Sequence, residues 1–225
     1  MKTLVTEIQK RVKNLSNGPA MESMRKLGIN YETMHGLSLH EIKAIASDYL
    51  NNHELALELW RWDDRELKIM ATMIADPNKM TPIELNAWAG DLKNSELAEQ
   101  LAINLAFRTS KIELIISSWI SFDNEFAKKS ALVLLAWSAQ RSTQMSETFF
   151  IQQLPFLINL VNEDLQLAKG ISFAFRAIGK RNLTLNSAAI ESLKKLKENS
   201  SYNAQFIVEE ALWELELDII QERLK

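Results

Sequence analysis

The scarcity of backbone punctuation constrains this chain more than any motif in it. Six glycines and four prolines serve 225 residues, where average usage would supply roughly 16 and 11. Tight hairpins and phosphate-cradling loops both draw on glycine's freedom at positive φ. A chain so poor in both residues is ill suited to a many-hairpinned sheet. Neither G-x-G-x-x-G nor G-x-x-x-x-G-K-S/T occurs in it, so the nucleotide-binding loops are absent as motifs. The composition predicts an all-α protein with short connections.

Other counts narrow the chemistry. There is no cysteine, which excludes a disulfide framework, a Cys-ligated metal and a thiol nucleophile. The three histidines, His35, His40 and His53, fall in the first quarter and show no ligand or triad pattern. No metal and no cofactor are expected. The N-terminus has no apolar signal core and no 18-residue apolar run occurs, so the expectation is a cytoplasmic protein that does not enter a membrane. With 47% hydrophobic residues and a net charge of −3, residues 1–225 read as a single domain with ample core.

Helix starts are written along the chain. Ser38-Leu-His-Glu41, Thr81-Pro-Ile-Glu84 and Ser110-Lys-Ile-Glu113 each fit a capping box, in which hydroxyl and carboxylate satisfy each other's orphan amides. Further starts are predicted at Asn52, Asp63, Asn94, Asp123, Ser146, Asn162 and Ser201, and apolar residues recur between them at helical spacing. About a dozen helices result, with only residues 15–37 reading as loose. The starts near 63, 94 and 123 open stretches of roughly thirty residues, the rhythm of an α-solenoid with diverged repeats. Trp60 and Trp62 cannot share a helix face, so one of them marks a helix end. Trp88, Trp119, Trp137 and Trp213 read as packing residues.

Charge is uneven. Residues 54–99 carry ten acids against five bases, and 198–225 seven acids against two. Between them, 168–197 carries seven bases, including Arg176, Lys180 and Arg181, against Glu191 alone. The bland reading is a solvated helix face balanced by nearby acids. The sharper one is a phosphate site, because Arg176 and Lys180 are one helical turn apart and repel unless an anion lies between them.

The run Phe173-Ala-Phe-Arg-Ala-Ile-Gly-Lys-Arg-Asn182 resembles the bacterial DNA alkylation repair family, the AlkD-like HEAT-repeat DNA glycosylases. The likeness extends through Gly36–Ala46, Leu59–Trp60, Glu66–Ala71, Trp88–Gln100, Glu125–Lys129 and Glu209–Leu215, and covers about residues 30–217. The resemblance implies HEAT-like helical repeats stacked as a curved α-solenoid. It also implies binding of duplex DNA in a concave groove, with excision of N3- and N7-alkylated purines through an oxocarbenium-like sugar and without a metal. In that chemistry a carboxylate stabilises the sugar cation, aromatic faces attract the cationic lesion, and a basic residue holds the phosphate.

Carried onto this sequence, the family's catalytic Asp falls on Glu99, a Trp four residues earlier on Ser95, the phosphate-binding Arg on Lys129 and a second aromatic on Phe173. All four positions depart from the family pattern. Glu99 misplaces its charge by one methylene, a shift that can cost about a hundredfold in rate. Lys129 loses the guanidinium fork. The expected DNA contacts are therefore Lys128, Lys129, Phe173, Arg176, Lys180 and Arg181, with Glu99 as the catalytic candidate and glycosylase activity weak or lost. The competing reading is a non-enzymatic α-solenoid that binds a protein or a structured nucleic acid. A hydrolase built on Asp63 and Asp64 finds no support, since adjacent helix residues do not face each other.

Overall fold

The computed structural model describes residues 2–162 and 164–224. Among them it forms fourteen α-helices and no strand; the only pairing of β type is an isolated bridge between Thr33 and Asp64. The chain divides into two compact units, Met1–Ile115 and Ile116–Lys225.

The first unit holds α1 (Lys2–Asn14), α2 (Gly18–Lys26), α3 (Leu39–Ala46), α4 (His53–Trp60), α5 (Arg65–Ile74), α6 (Pro82–Gly90) and α7 (Ser95–Gln100). From α7 the chain continues through a π-helical turn, Leu101–Leu105, into a 3-10 turn, Ala106–Arg108. Helix α5 is the hub, packing against α3, α4, α7 and the π turn. All of its residues except Met73 are buried, charged ones included.

Those buried charges are paired. Arg65, 1% exposed, grips the Glu96 carboxylate with two bonds, of 2.8 and 2.6 Å, and gives its remaining arm to Glu66 and the Leu37 carbonyl. Fully buried Glu66 accepts backbone N–H bonds from His35, Gly36 and Leu37. It thereby fastens the loop before α3 onto α5. Gly36 has φ 76, and a Cβ there would meet the Asn17 carbonyl at 2.5 Å, so no other residue fits the turn. Lys68 bonds the Trp60 carbonyl and Asp91 and lies 4.4 Å over the Trp60 ring. That ring stacks on Trp88 at 4.1 Å. Trp60 ends α4 and Trp62, half-exposed, lies beyond it, as their spacing predicts.

Helix α8 (Ile112–Trp119) runs across the boundary between the units. The second unit continues with α9 (Glu125–Arg141), α10 (Glu147–Asn159), α11 (Leu165–Gly179), α12 (Leu183–Leu196), α13 (Tyr202–Leu215) and α14 (Asp218–Leu224). Helices α9, α11 and α13 form one layer, α11 in the middle; α10 and α12 cover its back. Within the layer neighbours are offset by a constant 38 residues. Ser172 bonds Glu210 and Arg176 bonds Glu214, each pair that far apart, and Gly170 faces Leu132 at the same interval. The layer is therefore parallel, each pair of helices being one HEAT-like repeat.

The predicted caps at Ser38, Asn52, Thr81, Asn94, Ser146 and Ser201 all accept a bond from the first turn of their helices, with full capping boxes at Ser38 and Thr81. Other starts differ from expectation. Asp64, Asn124 and Asp164 are the caps in place of Asp63, Asp123 and Asn162. Helix α8, whose start is expected at Ser110, spans Ile112–Trp119. The stretch expected to be loose contains α2, which Asn17 caps with Pro19 in the first turn.

Candidate nucleic-acid interface

With α12 packed on α11 and α10 on α12, α9 and α11 each keep one half-open stripe. On α9, Phe126, Lys129, Val133 and Trp137 recur at helical spacing, all half-buried among buried neighbours. On α11 the stripe is Lys169, Phe173 and Arg176, ending at Lys180 just past the helix. Three predicted site residues, Lys129, Phe173 and Arg176, thus share one face of the second unit.

The environment of each cation differs. Lys129 lies 5.3 Å over the Phe126 ring. Lys128 pairs with Glu125 at 3.7 Å. The anion required between Arg176 and Lys180 exists and is the protein's own: Glu214 of α13 bonds Arg176 at 2.9 Å and Lys180 at 2.5 Å. Partial burial pushes the Glu214 carboxyl up, but its bonds to Lys180 and Arg176 outweigh that and hold it below the usual carboxylate range. Arg181 is turned into the packing, bonding the carbonyls of Ala139 and Met145 with Phe150 at 5.0 Å beneath it. In the motif around it, Gly179 is structural, since a Cβ there would meet Leu215 at 2.7 Å.

Two features here go beyond the sequence reading. The Arg141 guanidinium lies 3.4 Å over the Trp137 ring, a stacked pair one helical turn apart. That i, i+4 spacing was the available signal. Trp213, expected to be packing, is 69% exposed on α13. That helix also presents Glu209, Glu210 and Glu214, so positive charge concentrates on α9 and α11 and negative charge on α13.

The first unit holds the catalytic candidate. Glu99 is exposed on α7 and Ser95, in the first turn, is half-buried. Between them on the same helix, Glu96 is committed to Arg65. Asp64, capping α5 and 3.8 Å from the His35 ring, is pushed up to about 7, chiefly by burial and further by Glu66. Burial likewise pushes the Tyr31 hydroxyl up to about 12. Among the described residues no group of three or more His, Cys, Asp or Glu can hold a metal, and no helix is long and apolar enough to cross a membrane.

The family profile described as DNA alkylation repair enzyme matches residues 8–215. The chain belongs to that family. A solved structure from "a new family of proteins related to the HEAT-like repeat DNA glycosylases with affinity for branched DNA structures" superposes with a TM-score of 0.76. The match covers 99% of this chain and 95% of that one at 19% identity. The fold of this family member is thus the all-α, HEAT-like repeat fold. No curated protein matches the chain.

Proposed function

We propose that this member of the DNA alkylation repair family binds DNA on the α9–α11 face of its second unit, with base excision weak or lost. The observation that carries the reading is the pair of adjacent stripes in which Lys129, Phe173 and Arg176 alternate cation with ring. Cations neutralise phosphates and ring faces attract sugars and alkylated, positively charged bases. Lys180 extends the stripe at its edge. Lys128 adds charge beside Lys129, and Arg181 supports the face from within the packing.

Glu99 is the residue through which an alkylpurine would be released. A carboxylate at the anomeric carbon must be placed to a fraction of an ångström, and Glu99 is longer by one methylene than the family's Asp. Ser95 offers no ring where the family has Trp, a loss worth about 2 kcal/mol of cation–π attraction when desolvated. The structural relative's affinity for branched DNA favours the second reading in part: a non-enzymatic α-solenoid whose ligand is a structured nucleic acid.

Both readings are separated by two assays on the full chain. Fluorescence anisotropy compares a linear duplex with a four-way junction across a salt series, and a release assay measures free base from N3- and N7-methylated DNA. Binding that weakens steeply with salt, with Lys129→Ala lowering the log–log slope by about 0.9, supports the interface. Alkylpurine release that persists at full rate in Glu99→Gln defeats the carboxylate's role. Absence of binding to either DNA defeats the reading as a whole.

A further inference from the structure

Beside the stripe, the second unit contains an open cleft of about 690 Å³ at the C-terminal ends of α9 and α11. Four cations line it: Arg141 from the end of α9, Lys180 and Arg181 after α11, and Arg223 from α14. Among the described residues no carboxylate lines it; Ser142, Thr143 and Asn182 add polar groups instead. Small-molecule pockets are mostly apolar with a few polar groups, and this cleft reverses that pattern.

The cations are held in place before any ligand arrives. Arg141 is flat against Trp137 and tied to Gln140 at 2.9 Å. Arg181 is anchored on two carbonyls, and Arg223 reaches the Lys180 carbonyl at 3.3 Å. The Ser142 oxygen accepts bonds from the Gln144 and Met145 amides, which leaves its proton to donate outward. Glu214 lies behind Lys180 and offsets only one of the four charges.

We infer that this cleft is a phosphodiester-binding groove, which grips a stretch of nucleic-acid backbone beyond the one on the α9–α11 face. The cleft is several times larger than one phosphate, and its cations come from three separate segments, so a chain of phosphates fits it better than a lone anion. Arg141 and Arg223 are the phosphate ligands, with Ser142 and Thr143 donating beside them. The inference rests on the DNA-binding reading above and adds residues that reading does not use.

The test uses the full-length protein, a four-way junction, and inorganic tripolyphosphate as a probe free of bases. Arg141→Ala with Arg223→Ala is expected to weaken junction binding at least tenfold and to lower the log–log salt slope by about 0.9 for each phosphate no longer neutralised. Tripolyphosphate, followed by amide shifts at Ser142 and Thr143, is expected to bind wild type and not the double variant. Arg141→Lys, which keeps the charge, is expected to retain most of the slope. A wild type that binds the junction while the double variant keeps its affinity and slope overturns the groove and leaves the face intact. A wild type that binds no DNA overturns the parent reading and the groove together, whatever tripolyphosphate does.

Discussion

The two units apply one packing idea and place their charges in opposite ways. In the first, partners across neighbouring repeats lie about 31 residues apart, as with Arg65 and Glu96 or His35 and Glu66. In the second, the interval is 38. The difference is helix length: α5 has 10 residues, whereas α9 and α11 have 17 and 15. The shorter hub has no open face, so its Arg, Glu and Lys are paired inside, where removing one partner strands the other in a low dielectric. The longer helices bury enough apolar surface to leave one stripe open, and their cations go there. Charge in the first unit fixes the register of a loop against a helix; in the second, Glu214 links Arg176 and Lys180 across two neighbouring helices while all three stay partly exposed.

The contrast breaks most readily at Glu66. Glu66→Ala should lower unfolding free energy by about 3–5 kcal/mol, because Arg65 loses a buried partner and three amides lose their acceptor. Chemical denaturation reads this directly, and a drop below about 1 kcal/mol would mean that the buried network does not carry the first unit. Gly179→Ala comes next. The added methyl meets buried Leu215, and overpacking of that kind costs about 1–3 kcal/mol; an unchanged thermal midpoint would show that α11 and α13 yield freely.

Asp64 supplies a pH test of the first unit alone. Its folded pKa, about 7, is above its ordinary 3.8, so between those values the folded chain holds a proton the unfolded chain has released. Its contribution to stability is therefore full below about pH 4 and falls as pH rises towards 7. Asp64→Asn keeps the cap and removes the titration, and the difference between the two proteins in denaturation midpoints should change steadily across that window. A constant difference would sink the assignment.

Glu214→Ala should have the smallest effect on stability, below about 1 kcal/mol, since Arg176 and Lys180 remain 28% and 27% exposed and solvent screens their pairing. It should act on binding instead. Freeing Arg176 and Lys180 is expected to strengthen DNA binding and to raise the salt slope by up to about 0.9 per cation. Unchanged binding would show that these two cations do not face the nucleic acid.

Much of the architecture was legible because helix caps are local. Ser38 and Thr81 carry their capping boxes within four residues. The misplaced caps, Asp63, Asp123 and Asn162, each have a second Asx residue one or two positions on, and the sequence does not say which side chain turns back to the helix. The thirty-residue rhythm is real between caps at 64, 94 and 124 and lengthens to 164 and 201, as the helices of the second unit grow. On α11, the placing of Phe173 and Arg176 along one stripe follows from helical spacing. Glu214 did not announce itself: it lies 38 residues from Arg176, and only the acid-rich composition of 198–225 hinted at a balancing carboxylate. The buried pairing of Arg65 with Glu96 is not legible in the sequence, because its partners lie 31 residues apart.

The π turn at Leu101–Leu105 has a consequence for how the rod from Ser95 to Arg108 fits its surroundings. A π turn accommodates one residue more than an α turn, and one residue on a helix is about 100° of rotation. Ahead of the turn, Glu96 is keyed to Arg65; within its last residues Asn104 reaches the Thr72 hydroxyl, and beyond it Arg108 reaches the Met73 carbonyl. A continuous α-helix would swing those two side chains away from α5 while Glu96 stayed in place. The turn thus sets the two ends of one rod in separate registers against the same neighbour. Deleting a residue within it would re-aim everything that follows.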